Sequence, residues 1–123
     1  MRKIKFRGYS KRLSALVDIK KVDFKLKAAW FVHNNMLFEE SLDDVVLLQF
    51  TGFYDSSGKE IYEGDVVEHR GRRWEIEWDK RGQLVAELKY KDGVQKILPG
   101  FIANEDGWID SFAIVGNIFE ERQ

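Results

Sequence analysis

The stretch Trp74-Glu75-Ile76-Glu77-Trp78-Asp79 alternates large apolar and acidic side chains without a break. An extended chain turns successive side chains to opposite faces, so Trp74, Ile76 and Trp78 share the buried side of a sheet while Glu75, Glu77 and Asp79 stay in water. The same period runs through Lys3-Ile4-Lys5-Phe6-Arg7, where Ile4 and Phe6 share a face. It also runs from Val22 to Trp30, setting Val22, Phe24, Leu26, Ala28 and Trp30 against Asp23, Lys25 and Lys27. Half-buried antiparallel strands are the element such patterns demand.

Turn chemistry separates these segments. Asp55-Ser56-Ser57-Gly58 carries aspartate at the first and glycine at the fourth position of a turn, and glycine turns recur at Arg70-Gly71, Arg81-Gly82, Asp92-Gly93 and Asp106-Gly107. The spacing predicts strands near residues 65–70, 73–79, 84–91, 94–98 and 112–119. Pro99, the only proline, ends an edge strand. Between Trp30 and Asp44 the alternation fails, and His33 to Asp44 reads as a turn followed by one short helical turn capped by Ser41. The fold class expected is mainly β with little helix. An N-terminal β segment over residues 1–50 would pack, as one compact unit, with an SH3-like small barrel over residues 51–123. No internal repeat, linker or low-complexity tract is visible.

At 123 residues and 44% hydrophobic, the chain can bury a core without covalent staples. Cysteine is absent, which excludes disulfides, thiolate metal sites and cysteine nucleophiles together. The basic start lacks the apolar run of a secretory signal, and no segment approaches membrane-spanning length, so a cytoplasmic protein with no membrane partner is expected.

The net charge of −1 conceals segregation. Residues 1–30 hold ten Lys or Arg against Asp18 and Asp23, whereas residues 31–68 hold nine acids against Lys59. Such blocks compensate within one chain or join neighbouring copies head to tail. The cluster Arg2, Lys3, Lys5, Arg7, Lys11 and Arg12 is the candidate contact surface for a partner or for nucleic acid.

The densest chemistry lies in Thr51 to Asp65. A phosphate loop needs four residues between its first glycine and Gly-Lys, but Gly52 and Gly58-Lys59 are separated by five, and Glu60 follows. A calcium loop opened by Asp55 would want glycine at its sixth position, and here glycine stands at the fourth. A hairpin asks less. Asp55 bonds its own turn, Gly58 takes positive φ, Gly64 bends the chain, and Asp65 accepts backbone N–H groups. Thr51, Gly52, Asp55, Gly58, Lys59, Glu63, Gly64 and Asp65 are therefore read as a structural turn signature. The residual alternatives are a partner-binding loop or a carboxylate metal site using Asp55, Glu60, Glu63 or Asp65. His33 and His69 are the whole imidazole inventory and have no motif spacing; His69 is placed at a barrel rim. The four tryptophans are read as core or subunit contacts rather than a base-stacking platform.

Ile4 to Ser10 ("IKFRGYS"), Leu47 to Val67 ("LLQFTGFYDSSGKEIYEGDVV") and Phe112 to Glu120 ("FAIVGNIFE") together resemble, in that order, the signatures of the YopX family, small proteins encoded by phages and prophages of Gram-positive bacteria. The resemblance implies a mainly β protein with an SH3-like barrel and names no reaction. Together with the missing catalytic constellation, it leads us to expect a non-catalytic module without cofactor, binding itself as a homo-oligomer or binding another phage or host protein. A nucleic-acid-binding barrel and a carboxylate metal-dependent hydrolase are the alternatives.

Overall fold

The computed structural model describes residues 5–121. Arg2, Lys3 and Ile4 of the expected first strand lie outside them. The described residues are mainly β and form two compact units, divided between Gln49 and Phe50.

In the N-terminal unit, β1 (Phe6–Ser10), β2 (Ala15–Asp23), β3 (Ala28–His33) and β4 (Met36–Ser41) form an antiparallel meander. A 3-10 turn over Leu42–Asp44, capped by the Ser41 hydroxyl accepting from the Asp43 N–H, leads into β5 (Val45–Tyr54). The first half of β5 returns to pair with β1, from Phe6 opposite Gln49 to Ser10 opposite Val45, which gives the order β4-β3-β2-β1-β5. Ser10 and Glu40 are both buried and joined by a 2.8 Å hydrogen bond from the serine hydroxyl. They stand on β1 and β4, which a flat sheet would hold about 14 Å apart at the usual strand spacing. The sheet of this unit therefore rolls around Val17, Phe31 and Val45, its buried apolar cluster.

Two expectations fail here. The single strand expected from Val22 to Trp30 is two strands, because the Asp23 carboxylate accepts the Leu26 N–H at 2.9 Å and Lys27 adopts φ 54, closing a turn over residues 24–27. Phe24 and Leu26, assigned to the buried face, stand in that turn 64% and 68% exposed. The region from His33 to Asp44 holds the turn and the Ser41-capped helical turn, but a full strand, β4, lies between them. Asn34 and Asn35, both at positive φ, make the two-residue hairpin turn that starts it.

In the C-terminal unit, the second half of β5 pairs with β6 (Glu60–Tyr62). There follow β7 (Asp65–His69), β8 (Arg72–Trp78), β9 (Leu84–Tyr90) and β10 (Gly93–Ile97), a second antiparallel meander. Pro99 opens the one-turn helix α1 (Pro99–Ile102) just past the edge strand β10, where its missing N–H costs nothing. β11 (Ala113–Asn117) then pairs with β7, giving the order β10-β9-β8-β7-β11, and α2 (Ile118–Glu121) follows. The core is Ile61, Val67, Trp74, Ile76, Leu84, Ala86, Ile109 and Phe112, with Trp78 packed against it. Of the four tryptophans only Trp74 is buried; Trp108 is 39% exposed.

Candidate functional site

Asp55 opens a tight turn in which the Gly58 N–H reaches the Asp55 carbonyl at 3.0 Å and the Asp55 N–H reaches Lys59 O at 2.9 Å. One carboxylate oxygen, Oδ1, accepts from the Ser57 N–H, the Ser57 hydroxyl and the Lys59 N–H, each at 2.9 Å. The other, Oδ2, accepts the Ile114 N–H at 3.0 Å, fifty-nine residues along the chain. Burial acts most strongly on this carboxyl and raises its pKa, yet the bonds from Ile114, Lys59 and Ser57 together outweigh it and hold the group below the ordinary aspartate value. Gly58 sits at φ 85, and a Cβ there would meet the Trp108 ring at 2.8 Å, so conformation and space both exclude a side chain.

Asp65 makes the same kind of link. Its Oδ2 accepts the Tyr62 N–H at 2.8 Å and its Oδ1 accepts the Asn117 side-chain amide at 3.1 Å, in a fully buried setting. Gly64, at φ 87, aligns its backbone so that the N–H donates to Ile76 O and the carbonyl accepts from the Ile118 N–H. Thr51 donates its hydroxyl to Ile61 O at 2.7 Å and accepts the Phe53 N–H, next to Gly52 at φ 87. Lys59 points to solvent, and Glu63 is half-buried. Asp55 and Asp65 are thus paired with backbone and amide donors, and each ties the Thr51–Asp65 segment to β11 or its immediate end. Among the described residues, no three His, Asp or Glu side chains are grouped to hold a metal ion.

The N-terminal cations do different things. Lys11 donates its ammonium to Asp43 O at 3.1 Å, Arg12 stands exposed in the β1–β2 turn, and Lys5 and Arg7 are half-buried, each with a partner in the chain. His69 is buried, edge-on to Trp74 and Phe112, with Nδ1 3.2 Å from Ser111 O. A carbonyl only accepts, so Nδ1 carries the proton. The Trp74 indole N–H donates to His69 O at 3.1 Å.

Two features escaped the sequence reading. Glu77 on β8 and Glu87 on β9 share a hydrogen bond between carboxyl groups, which, with burial and the like charge of Glu87, pushes Glu77 up to about 7. A cleft of about 530 Å³ lies beside Arg70, Arg72, Trp74, Tyr90, Gln95 and Ile97.

The family model described as YopX protein matches residues 5–123. The chain belongs to the YopX family. No curated protein matches it in sequence. The crystal structure of protein EF1440 from Enterococcus faecalis is similar in fold, with a TM-score of 0.52 at 15% identity, covering 100% of this chain and 98% of that one. In this YopX-family chain the middle and last signatures are joined by hydrogen bonds. Asp55 and Asp65 of the middle signature bond Ile114 and Asn117 of the last. Among the described residues, no helix is long and apolar enough to cross a membrane.

Proposed function

We propose that this chain is a non-catalytic binding module whose occupant is a second copy of itself. The observation that carries this is an uncovered edge: β4 ends the N-terminal sheet, and Met36 and Leu37 stand on it 60% and 70% exposed beside exposed Glu39. A sheet edge with unpaired backbone groups and apolar side chains is a template for another strand. Opposite charge is carried nearby in sequence by the β2–β3 hairpin, whose Lys20, Lys25 and Lys27 are exposed. A copy presenting this basic hairpin to the β4 edge of its neighbour sets lysines near the exposed Glu39, whose carboxylate also accepts the Trp30 indole N–H at 2.8 Å, in a head-to-tail contact. The saturation of Asp55 and Asp65 by internal donors supports a scaffold role for the central acids.

Sedimentation velocity over protein concentration and salt tests this. The expected result is a mass that grows with concentration and falls with added salt, and a Leu37→Lys variant that stays monomeric. A chain that remains monomeric throughout at low salt overturns the proposal.

A further inference from the structure

A different face of the C-terminal unit points to a ligand. Alternation along β8 sets Arg72, Trp74, Ile76 and Trp78 on one side of the sheet, and Trp74 and Ile76 define that side as the core face. The register continues it across the neighbours. Ile76 stands opposite Ala86, Ala86 opposite Ile97, and Leu88 opposite Gln95, so Leu88, Tyr90, Gln95 and Ile97 share the same face. The core-facing surface therefore begins with Trp74, Leu88 and Ile97 and runs outward into Arg72, Tyr90 and Gln95. An arginine, a tyrosine and a glutamine at core-facing positions mark where the sheet is not covered by its own chain.

The cleft formed there, about 530 Å³, lies within the size range of small-ligand sites. Its lining contains Arg70 and Arg72 and no carboxylate, although the chain carries 21 acidic residues. Neither arginine is engaged by a carboxylate among the described residues, and both are exposed. Tyr90, 52% exposed, offers a free aromatic ring. Arg70 has a further peculiarity: it occupies the first position of the β7–β8 turn at φ 53, ahead of Gly71 at φ 74. Asparagine or glycine suits such a turn, whereas a long side chain held at positive φ is strained, a condition that recurs at ligand sites.

Guanidinium groups pair with phosphate oxygens, an aromatic face stacks on a planar base, and an amide such as Gln95 bonds a base edge. We propose that this cleft binds a nucleoside phosphate, with Arg70 and Arg72 on the phosphate and Tyr90 against the base. The shared chemistry comes from two sources, a free nucleotide or the terminal nucleotide of a single strand. The cleft includes neither β4 nor the basic hairpin, so its ligand binding is independent of self-association.

Nitrogen-15 NMR titration of the full chain, following the Trp74 indole N–H and the Gln95 amide, provides the test. The probes are the four ribonucleoside monophosphates, the same nucleosides without phosphate, inorganic phosphate, a 5′-phosphorylated oligothymidylate and a glutamate-rich peptide. Monophosphates are expected to shift both signals and to bind at least roughly tenfold more tightly than the nucleosides or phosphate alone. If the oligonucleotide binds tighter still, the strand end is the source; if it binds no better, the free nucleotide is. Arg72→Ala and Tyr90→Ala should each weaken binding by roughly tenfold. Arg70→Asn should raise Tm, because asparagine suits the turn, while weakening the monophosphate; a purely structural arginine would move only Tm. No shift with any monophosphate, equal binding of phosphate alone, tighter binding of the acidic peptide, or unchanged affinity in all three variants overturns the proposal.

Discussion

In the N-terminal unit the order β4-β3-β2-β1-β5 surrounds a buried apolar cluster of Val17, Phe31 and Val45, whereas in the C-terminal unit the order β10-β9-β8-β7-β11 surrounds a cluster of eight. Each is a four-strand meander whose fifth strand returns to pair with the first. The same path is thus drawn twice by segments that show no sequence repeat. What differs is the means of fixing it. The smaller unit bridges β1 to β4 with the buried Ser10–Glu40 bond, and the larger one ties its returning strand through Asp55 and Asp65. A strand order of this kind requires compatible turns and a filled interior, and a buried polar link serves where apolar area is short.

Removing the one fully buried phenylalanine from each cluster breaks the comparison most severely. Phe112→Ala and Phe31→Ala should each cost about 3–5 kcal/mol. Hydrogen exchange should then show loss of protection concentrated in residues 50–121 for the first and in residues 5–49 for the second. Equal loss throughout the chain in both variants would mean that the units do not open separately.

Next in size is the aspartate link. Asp55→Ala leaves the Ser57, Lys59 and Ile114 N–H groups without their acceptor and should cost about 3 kcal/mol, with β11 amides losing protection first. Glu40→Ala, the counterpart in the N-terminal unit, removes one acceptor from Ser10 and should cost about 1–2 kcal/mol. Urea denaturation of both variants measures the difference, and a Glu40 variant as damaging as the Asp55 variant would contradict it.

The C-terminal unit was the more legible of the two in sequence, for physical reasons. Its strands alternate cleanly and its turns hold glycine, so β7 to β11 fall near their expected places. In the N-terminal unit the period is interrupted. β2 carries a bulge between Ile19 and Lys21 that moves the inward parity from Val17 and Ile19 to Val22, and β5 is too apolar to alternate. The alternation across Phe24 and Leu26 was accidental, since a turn also tolerates apolar residues in water. Asp55 as a turn residue was visible from Asp-Ser-Ser-Gly; its bond to Ile114 was not, because no local pattern encodes a partner fifty-nine positions away. The Glu77–Glu87 pair and the Arg72, Tyr90 and Gln95 surface needed the strand register, although the parity of Arg72 with Trp74 was there to be read.

The pH dependence should separate the two carboxyl environments of the C-terminal unit by slopes of opposite sign. Asp55 is held below its ordinary 3.8, so the stability it adds is fully present above that value and is lost as pH falls through the lower folded value. Glu77 is raised from 4.5 to about 7, so the fold binds its proton more tightly than the unfolded chain does. That stability is present below 4.5 and is lost as pH rises towards 7. Thermal melts from pH 3 to 8 should show both slopes, and Glu77→Gln should flatten only the upper one. A flat profile between about 4.5 and 7 in the parent chain would remove the shared proton from this account.

The smallest effect contrasts the two-residue turns. Asn34 and Asn35 join β3 to β4 at φ 51 and 64, whereas Arg70 and Gly71 join β7 to β8 at φ 53 and 74. Both pairs occupy the left-handed region that a tight hairpin requires, but glycine adopts it without steric cost and asparagine only tolerates it. Asn35→Gly should therefore stabilise the N-terminal unit by about 0.5 kcal/mol, seen as slower exchange of the β3 and β4 amides with no change beyond residue 50. Gly71→Asn in the C-terminal turn should do the reverse by a similar amount. If the two substitutions acted in the same direction, the second turn position would not be governed by backbone conformation, and the likeness between the two hairpins would be one of length alone.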